Sequence, residues 1–425
     1  MLYRIGRILD IVSILVALLI VGSSDAPRFT GSSDRARVHT REIEFDYPNW
    51  VWDATWIKIG QAAIHSPYTF ERGTSKEIVF EYLRTTTNLM QTGFRIEQVY
   101  ADPSITDKDA AGSLLRTQRD ALSARQEELA PFAESILQSQ LSETLARLDL
   151  TTIGQPLPPV LYHSSPTPLA LIVSKREEIV QIANISVLPT LDLDDQIALE
   201  DEVAVSLDVS TLVVQIGGVG VYPTMVMETA DLPWMLNTIA HEWTHNYLNL
   251  RPLGLNYNTT PELRTMNETA ANIVGDEVGQ LVLRTYYPEM LARLSADPDL
   301  LSLDLHFPPS DRLDDPPVFD FRAEMRETRV TADKLLAQGK IEEAEAYMEG
   351  RRQVFWQNGY LLRKLNQAYF AFHGAYADQP GGAAGEDPVG PAVRALRAQS
   401  ASLADFINTI ARMTSFDQLL EAIQQ

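Results

Sequence analysis

Residues 231–252, DLPWMLNTIAHEWTHNYLNLRP, predict a single amphipathic helix. Asp231 and Pro233 are typical helix-start residues, and Pro252 marks the stop. His245 follows His241 by four positions, so their side chains lie one turn and about 40° apart on the same face. The apolar side chains fall on the opposite face: Leu236, Ile239, Trp243, Tyr247 and Leu250. We therefore expect one side of the helix to be anchored in a core and the other to present two imidazoles to a cleft.

The five residues from His241 to His245 form an H-E-x-x-H motif, whose two imidazoles can reach one metal ion. The chain contains no cysteine, so any metal must be held by nitrogen and oxygen. A catalytic zinc site uses three protein ligands and leaves a fourth position for water. Glu242 lies about 100° around the helix from His241, where it can flank the ion without binding it. The motif thus predicts a zinc site with a glutamate beside it.

A third zinc ligand is expected on the next helix, which Thr260-Pro261-Glu262 begins. This helix would bring the carboxylate of Glu268 back towards the two histidines, and we assign Glu268 as the third ligand. Asp276 and Glu277 are the substitutes if Glu268 lies elsewhere. An ordinary solvated carboxylate is the alternative interpretation of Glu268.

Residues 233–286 resemble the thermolysin-like zinc metallopeptidases called gluzincins. In that family an H-E-x-x-H helix is followed, some twenty or more residues later, by an N-E-x-x-x-D type of helix, and here Asn267-Glu268 stands at the matching place. The family often has an aspartate four residues after the glutamate ligand, where it orients the first histidine. This chain has Asn272 there, which accepts a hydrogen bond but adds less basicity, and Asp276 could serve instead.

The resemblance implies an α+β, mainly α fold: a zincin-like catalytic core with a small β-sheet and extensive helical layers. It also implies zinc-dependent hydrolysis of peptide bonds, with Glu242 as base and then acid. Gluzincins stabilise the oxyanion with a tyrosine or histidine from a later helix, and Tyr369 and His373 are the candidates here. Packing at a helix interface explains those two residues equally well. Tyr360 and Tyr376 are further options.

The segment before the motif helix is expected to bind the substrate. Gly218 to Met227 is predicted as an edge strand along which an extended peptide could pair. Met227-Glu228-Thr229 resembles, more weakly, the M-E-N element with which zinc aminopeptidases bind a free amine. The two motif helices also resemble those of bacterial zinc aminopeptidases, and the choice between aminopeptidase and endopeptidase stays open.

Two other functions use the same residues. The chain could be a non-catalytic binding protein that keeps the zincin scaffold, or a tethered adaptor whose zinc is structural. The complete set of His241, Glu242, His245 and Glu268 argues against the first, and three ligands with one open position argue against the second.

The remaining pattern divides the chain into five parts. Helical spacing of leucines dominates before residue 150, with Pro131 expected to split one long helix, and β-type runs follow at Leu169–Val173, Val203–Leu207, Leu212–Ile216 and Val219–Met227. A helical hairpin is predicted from Arg322 to Ala377, turning at Gly339. The predicted organisation is a signal peptide or membrane anchor (1–24), a tether (25–41), a helical N-terminal region (42–152), the zincin-like catalytic core (153–300) and a helical C-terminal region that completes the cleft (301–425).

The N-terminus is typical of an export signal. Arg4 and Arg7 precede an apolar run from Ile11 to Gly22, which is shorter than the roughly 20 residues of a comfortable membrane span. A cleaved signal and an uncleaved anchor are both compatible with it. We expect an extracytoplasmic protein, either secreted or attached to the membrane by this segment.

Charge and composition limit the partners. The 425 residues include 57 acidic and 35 basic side chains, which gives a net charge of −22, so nucleic acid is excluded as a partner. Hydrophobic content of 45% and charged content of 22% are those of a folded globular protein. The expected partner is a peptide or protein substrate, and the sequence does not decide the oligomeric state.

Overall fold

The computed structural model describes residues 31–64, 72–101, 105–151, 154–291, 319–360, 362–374 and 387–424. The predicted signal peptide or anchor at residues 1–24 lies outside these ranges, as does Tyr376. In the ranges described, no helix is both long enough and apolar enough to cross a membrane. The described residues are mainly helical with a small amount of sheet, which confirms the α+β, mainly α prediction.

The N-terminal region is a layer of long helices. Helices α3 and α4 pack side by side, and α4 also contacts the helix that carries Glu268. Pro131 does not split α4, since the flanking Leu129 and Ala133 are buried in the core and tertiary packing offsets the lost backbone hydrogen bond. The helices are α1 (Ser32–Ala36), α2 (Tyr47–Ile64), α3 (Arg72–Ala101) and α4 (Lys108–Arg147).

The described part of the predicted tether is packed against the protein. Ala36 is fully buried beside the sheet, and His39 hydrogen-bonds to Glu202 at 2.8 Å. Glu44 forms a β-bridge with Val187. The tether prediction is therefore corrected for residues 31–41, whose polar composition concealed these contacts.

Two three-stranded sheets replace the single small sheet that was predicted. One has the order β3-β2-β4 with antiparallel neighbours, and the other has the order β1-β6-β5. In the second sheet β1 and β6 are parallel while β5 and β6 form a hairpin. The strands are β1 (Tyr162–Ser164), β2 (Leu169–Lys175), β3 (Gln181–Val187), β4 (Val209–Gln215), β5 (Gly218–Val219) and β6 (Thr224–Val226).

Two of the four predicted strands need correction. Val203–Leu207 is the end of helix α5 (Leu193–Leu207), which Asp192 caps and which buries Leu199 and Val203 against the first sheet. A short apolar run fits either a strand or a buried helix turn, and here the cap favours the helix. The run from Val219 to Met227 is likewise not one edge strand, because it folds back on itself as β5 and β6.

The motif helix and its successor form the centre of the largest core. Helix α6 (Leu232–Leu248) and helix α8 (Pro261–Tyr286) begin where the sequence predicted, α6 ends before Pro252 as expected, and the short α7 (Pro252–Leu255) lies between them. Asp231 and Thr260 cap them, each accepting a backbone N–H through its side chain. Local capping signals in the sequence were therefore sufficient to predict where these two helices begin.

The C-terminal region surrounds the two central units. Helices α9 and α10 form the predicted hairpin, with Gly339 at φ 74°, but the second helix ends at Gln357. Helix α11 packs on β2 and β4, whereas α12, α13 and α14 pack on α8. The bounds are α9 (Phe321–Ala337), α10 (Ile341–Gln357), α11 (Gln367–His373), α12 (Val389–Gln399), α13 (Leu403–Ile410) and α14 (Phe416–Ile423).

A buried ion pair joins α2 to α4 and to the second sheet. The ammonium of Lys58 contacts Glu134 Oε2, and both side chains are at most 5% exposed. Glu134 also accepts hydrogen bonds from Gln61 Nε2 and the Ser164 backbone N–H, each at 2.9 Å. Burial alone would raise the pKa of Glu134, but the charges of Lys58 and His163 lower the pKa to about 2.

Replacing Glu134 by glutamine is expected to destabilise the protein by about 3–5 kcal/mol, because the buried Lys58 ammonium loses its counter-charge. The folded-state pKa of Glu134 lies below its usual 4.5, so the pair contributes its full stability above pH 4.5 and loses it as the pH falls towards 2. Urea unfolding at several pH values measures both effects. Glu128→Gln, which removes an exposed ion pair on the same helix, is the control and should change little. Equal losses in the two variants would contradict the expectation.

Candidate metal centre

Helix α6 presents its histidines as the sequence predicted. Its core side is formed by Leu236, Ile239, Trp243 and Tyr247, all at most 5% exposed. Leu250 was also assigned to this face, but it is 67% exposed because the helix ends at Leu248. His241 and Glu242 are buried, and His245 is nearly so.

Two glycines of α8 set its distance from α6. A Cβ atom at Gly275 would lie 2.9 Å from the Asn237 backbone oxygen and 3.3 Å from His241 Cβ. One at Gly279 would lie 3.1 Å from the Asn237 backbone nitrogen. The two glycines are one turn apart, so they form a seam along which the helix backbones approach closely. This spacing was visible in the sequence and is a signal that our sequence analysis missed.

The close approach brings Glu268 to the two histidines. The Nε2 atoms of His241 and His245 are 3.0 Å apart, and Glu268 Oε2 lies 3.5 Å from each of them. Ligand atoms of His241, Glu242 and His245 also lie within 4.8 Å of one another. The four residues that the motif singled out are therefore together in space.

These atoms fit a tetrahedral metal ion. Ligands at about 2.0–2.1 Å in tetrahedral directions are about 3.3 Å apart, which is close to the edges of the triangle formed by the two Nε2 atoms and Glu268 Oε2. Glu268 is 4% exposed, and its Oε2 makes no hydrogen bond with the described residues, although both Nε2 atoms lie 3.5 Å away. A buried carboxylate oxygen without a partner is costly, and a cation would satisfy it. Two imidazoles and a carboxylate are a donor set that suits Zn²⁺.

Hydrogen bonds from neighbouring side chains fix the orientation of the candidate ligands His245 and Glu268. His245 Nδ1 donates to Asn267 Oδ1 at 2.8 Å, which turns Nε2 towards the triangle. The phenol of Tyr257 donates to the other oxygen of Glu268. The orienting amide is thus Asn267, the residue directly before the glutamate, whereas Asn272 makes no side-chain hydrogen bond in the described part of the chain.

The two substitute ligands have other partners. Asp276 accepts a hydrogen bond from Asn237 Nδ2, and Glu277 forms a bidentate ion pair with Arg397 at 2.7 and 2.8 Å. Glu268 is therefore the carboxylate of α8 that faces both histidines.

The carboxylate of Glu268 stabilises positive charge within the cluster. Burial opposes ionisation of Glu268, yet the adjacent imidazoles hold the pKa of its carboxyl well below the usual value. In His245 burial lowers the pKa, but the Glu268 carboxylate outweighs it and raises the pKa to about 9. Burial raises the pKa of Glu242, the effect that brings a carboxylate closer to the range of a general base.

Two glycines, Gly218 and Gly220, allow the chain at β5 to lie directly against the motif helix. A Cβ atom at Gly218 would lie 2.7 Å from Glu242 Oε1 and 2.9 Å from the Thr238 methyl carbon. One at Gly220 would lie 2.9 Å from His245 Cβ. Because they carry no side chain, these two residues leave room for the carboxylate of Glu242 beneath the strand.

A cavity of about 260 Å³, which we call the metal-side cavity, opens onto this cluster. Its walls include β5, which lies in the segment predicted to bind the substrate, together with β3 and two tyrosines that the sequence analysis did not single out. Tyr47 donates to Ser186 Oγ at 2.9 Å, and its pKa is raised by burial and by the charge of Glu242. The lining residues are Tyr47, Asn184, Ser186, Ile216, Gly218, Val219, Gly220, His241, Glu242, His245, Asn249, Tyr257, Glu268 and Phe372.

The proposed oxyanion donors Tyr369 and His373 are not among these lining residues. Tyr369 is 9% exposed and belongs to the core between α11 and the first sheet, and the His373 ring packs on it with centroids 4.3 Å apart. Phe372, between them, faces the cavity instead. Tyr360 stacks on Phe321 in the same core. The geometry matches the helix-packing interpretation of these residues.

Glu228 of the Met227-Glu228-Thr229 segment is exposed and does not line the metal-side cavity. The Met227 sulfur instead accepts a hydrogen bond from Gln215 at 3.0 Å. The segment gives no support to a bound amine at the metal.

Comparison of the whole chain with protein-family models, with curated proteins and with solved structures found no match.

Proposed function

We propose that the protein is a zinc-dependent peptidase, built on a zincin-like core, in which His241, His245 and Glu268 bind the ion and Glu242 acts on the attacking water. One observation carries this proposal. Two imidazole nitrogens and a carboxylate oxygen without a partner form a triangle of metal-site dimensions, beside a second buried carboxylate and open to a cavity.

In the proposed reaction the bound ion and Glu242 have different roles. A bound Zn²⁺ supplies a Lewis acid that makes water more acidic and polarises the carbonyl of the scissile peptide bond. Glu242 accepts a proton from the attacking water and passes it to the departing amine nitrogen. Its raised pKa assists the second step, since a carboxyl with a higher pKa holds that proton more readily.

Tyr47 is the better candidate for stabilising the oxyanion. It lines the metal-side cavity, and its O–H would turn from the Ser186 hydroxyl, to which it donates at 2.9 Å, to the oxyanion. The phenol of Tyr257 is already directed at Glu268. The role first expected of Tyr369 or His373 is therefore proposed for a residue at the start of α2.

Strand edges offer the substrate a binding surface. β3 is an edge of its sheet except at its C-terminal end, where Glu44 bridges to Val187, and β5 is an edge of the other sheet. Residues of both strands line the metal-side cavity. Edge strands carry unpaired N–H and C=O groups that an extended peptide can pair with. The substrate class best suited to this cavity is thus a peptide or an extended protein segment.

Removal of the metal tests the proposal. We expect the purified protein to contain about one zinc ion per chain, to cleave members of a mixed peptide library, to lose cleavage after chelation and to regain it when zinc is restored. A non-catalytic binding protein on this scaffold would contain zinc and bind peptides without cutting them. Cleavage that persists after complete removal of the metal would refute the zinc mechanism.

A further inference from the structure

A second cavity, of about 350 Å³, adjoins the metal-side cavity. We call it the arginine cavity, because Arg264 and Arg329 line it together with Gln181, Tyr257 and Asp387. Tyr257 lines both cavities, and β3 runs along both, with Gln181 in one and Ser186 in the other. A peptide extended along β3 from the metal would therefore reach the arginine cavity.

Helix α8 ties the two cavities together. Arg264 and Glu268 are four residues apart on α8, so they share a face and are separated by about 6 Å along the axis. The guanidinium thus belongs to the turn directly before the proposed metal ligand. A group bound by Arg264 would lie within a residue or two of the scissile bond.

Arg264 has an unusual environment for a protein with a net charge of −22. Its Nη2 donates to the Ala371 carbonyl at 2.6 Å. Across the described ranges no carboxylate oxygen lies within ion-pair distance of its guanidinium. The other charged residues of the cavity have partners: Arg329 pairs with Asp333 at 2.7 Å, and Asp387 caps α12 through the backbone N–H of Val389. A half-buried guanidinium that pairs with no carboxylate of the protein can obtain its counter-charge from a carboxylate of a bound ligand.

We infer that the arginine cavity is a carboxylate subsite, in which Arg264 binds an anionic group of the peptide substrate close to the scissile bond. The inference rests on the proposed peptidase function and names its substrate class. Two sources supply this chemistry: the C-terminal carboxylate of a short peptide, or the side chain of an internal Asp or Glu.

Matched peptides test the subsite. One pair carries the same sequence with a free C-terminal carboxylate or a C-terminal amide, and a second pair carries internal Asp or Asn at successive positions in a blocked peptide. We expect kcat/KM to be about 10- to 100-fold higher for the carboxylate member of one pair, as for a charge-assisted hydrogen bond near a buried site. The pair that shows the difference identifies whether the bound carboxylate is the C-terminus of the peptide or an internal side chain.

Variants of Arg264 connect the preference to this residue. In Arg264→Gln the ratio of the two rates should fall towards one, and Arg264→Lys should restore part of it. Arg284→Gln, on the exposed last turn of the same helix, should keep the wild-type ratio. A wild-type protein that treats both members of each pair alike, or an Arg264→Gln variant that keeps the full preference, would overturn the inference.

A binding measurement separates this inference from the proposed function. The affinity of each peptide for the zinc-loaded protein is measured by calorimetry, in wild type and in Arg264→Gln. Absence of cleavage together with a carboxylate preference in binding would reject the peptidase and retain the subsite. Cleavage or binding without any such preference would reject the subsite alone.

Discussion

Glu242→Gln is expected to lower kcat by a factor of about 10²–10⁴ while the protein still binds one zinc ion per chain. The glutamine is nearly the same size, so it fits beneath Gly218, where a Cβ would already lie 2.7 Å from Glu242 Oε1. It cannot accept the proton of the attacking water. Steady-state kinetics on any peptide that the parent cleaves, combined with metal analysis of the same preparation, measure both quantities.

The control for this variant is Glu277→Gln, which removes a carboxylate that pairs with Arg397 and faces away from the metal-side cavity. It should leave zinc content and kcat close to those of the parent. Full activity in Glu242→Gln would remove Glu242 from the mechanism. Loss of zinc in that variant would make Glu242 itself a ligand, an outcome that matters because Glu242 lies within 4.8 Å of both histidines.

The central helices could be predicted because their signals are local. The caps at Asp231 and Thr260, the two prolines that follow them and the spacing of the histidines all act within one or two turns. The same reasoning failed at Val203–Leu207, where a β-type run belongs to a helix that begins ten residues earlier. A five-residue window does not contain the cap that decides its conformation.

The walls of the site could not be predicted because they come from distant parts of the chain. Tyr47 reaches Ser186 across 139 residues, and Tyr257 lies in the turn between α7 and α8, whose direction no local pattern specifies. The oxyanion donor was assigned from a family resemblance to the aromatic residues of α11, which serve the core instead. Residue type alone did not separate a tyrosine that faces a cavity from one that packs beneath a sheet.

Glu268→Gln is expected to weaken zinc binding by at least about 100-fold, because changes to the outer contacts of a zinc ligand already cost about 10- to 100-fold. The amide that replaces the carboxylate carries no negative charge, so the ion would lose the counter-charge that binds it directly in a buried site. Competition with a chromophoric chelator measures the affinity. Activity should fall at limiting zinc and recover in part when zinc is in excess.

Tyr257→Phe provides a graded comparison, since it removes only the hydrogen bond to the second oxygen of Glu268 and leaves the carboxylate in place. Its effect on zinc affinity should be smaller than that of Glu268→Gln, within about 10- to 100-fold.

The two glutamate variants then differ in which property is lost first, zinc binding or turnover. Glu242→Gln loses turnover with zinc bound, whereas Glu268→Gln loses zinc first and turnover as a consequence. If Glu268→Gln binds zinc as tightly as the parent, the triangle of two imidazoles and one carboxylate is not the metal site, and its partnerless oxygen needs a different explanation.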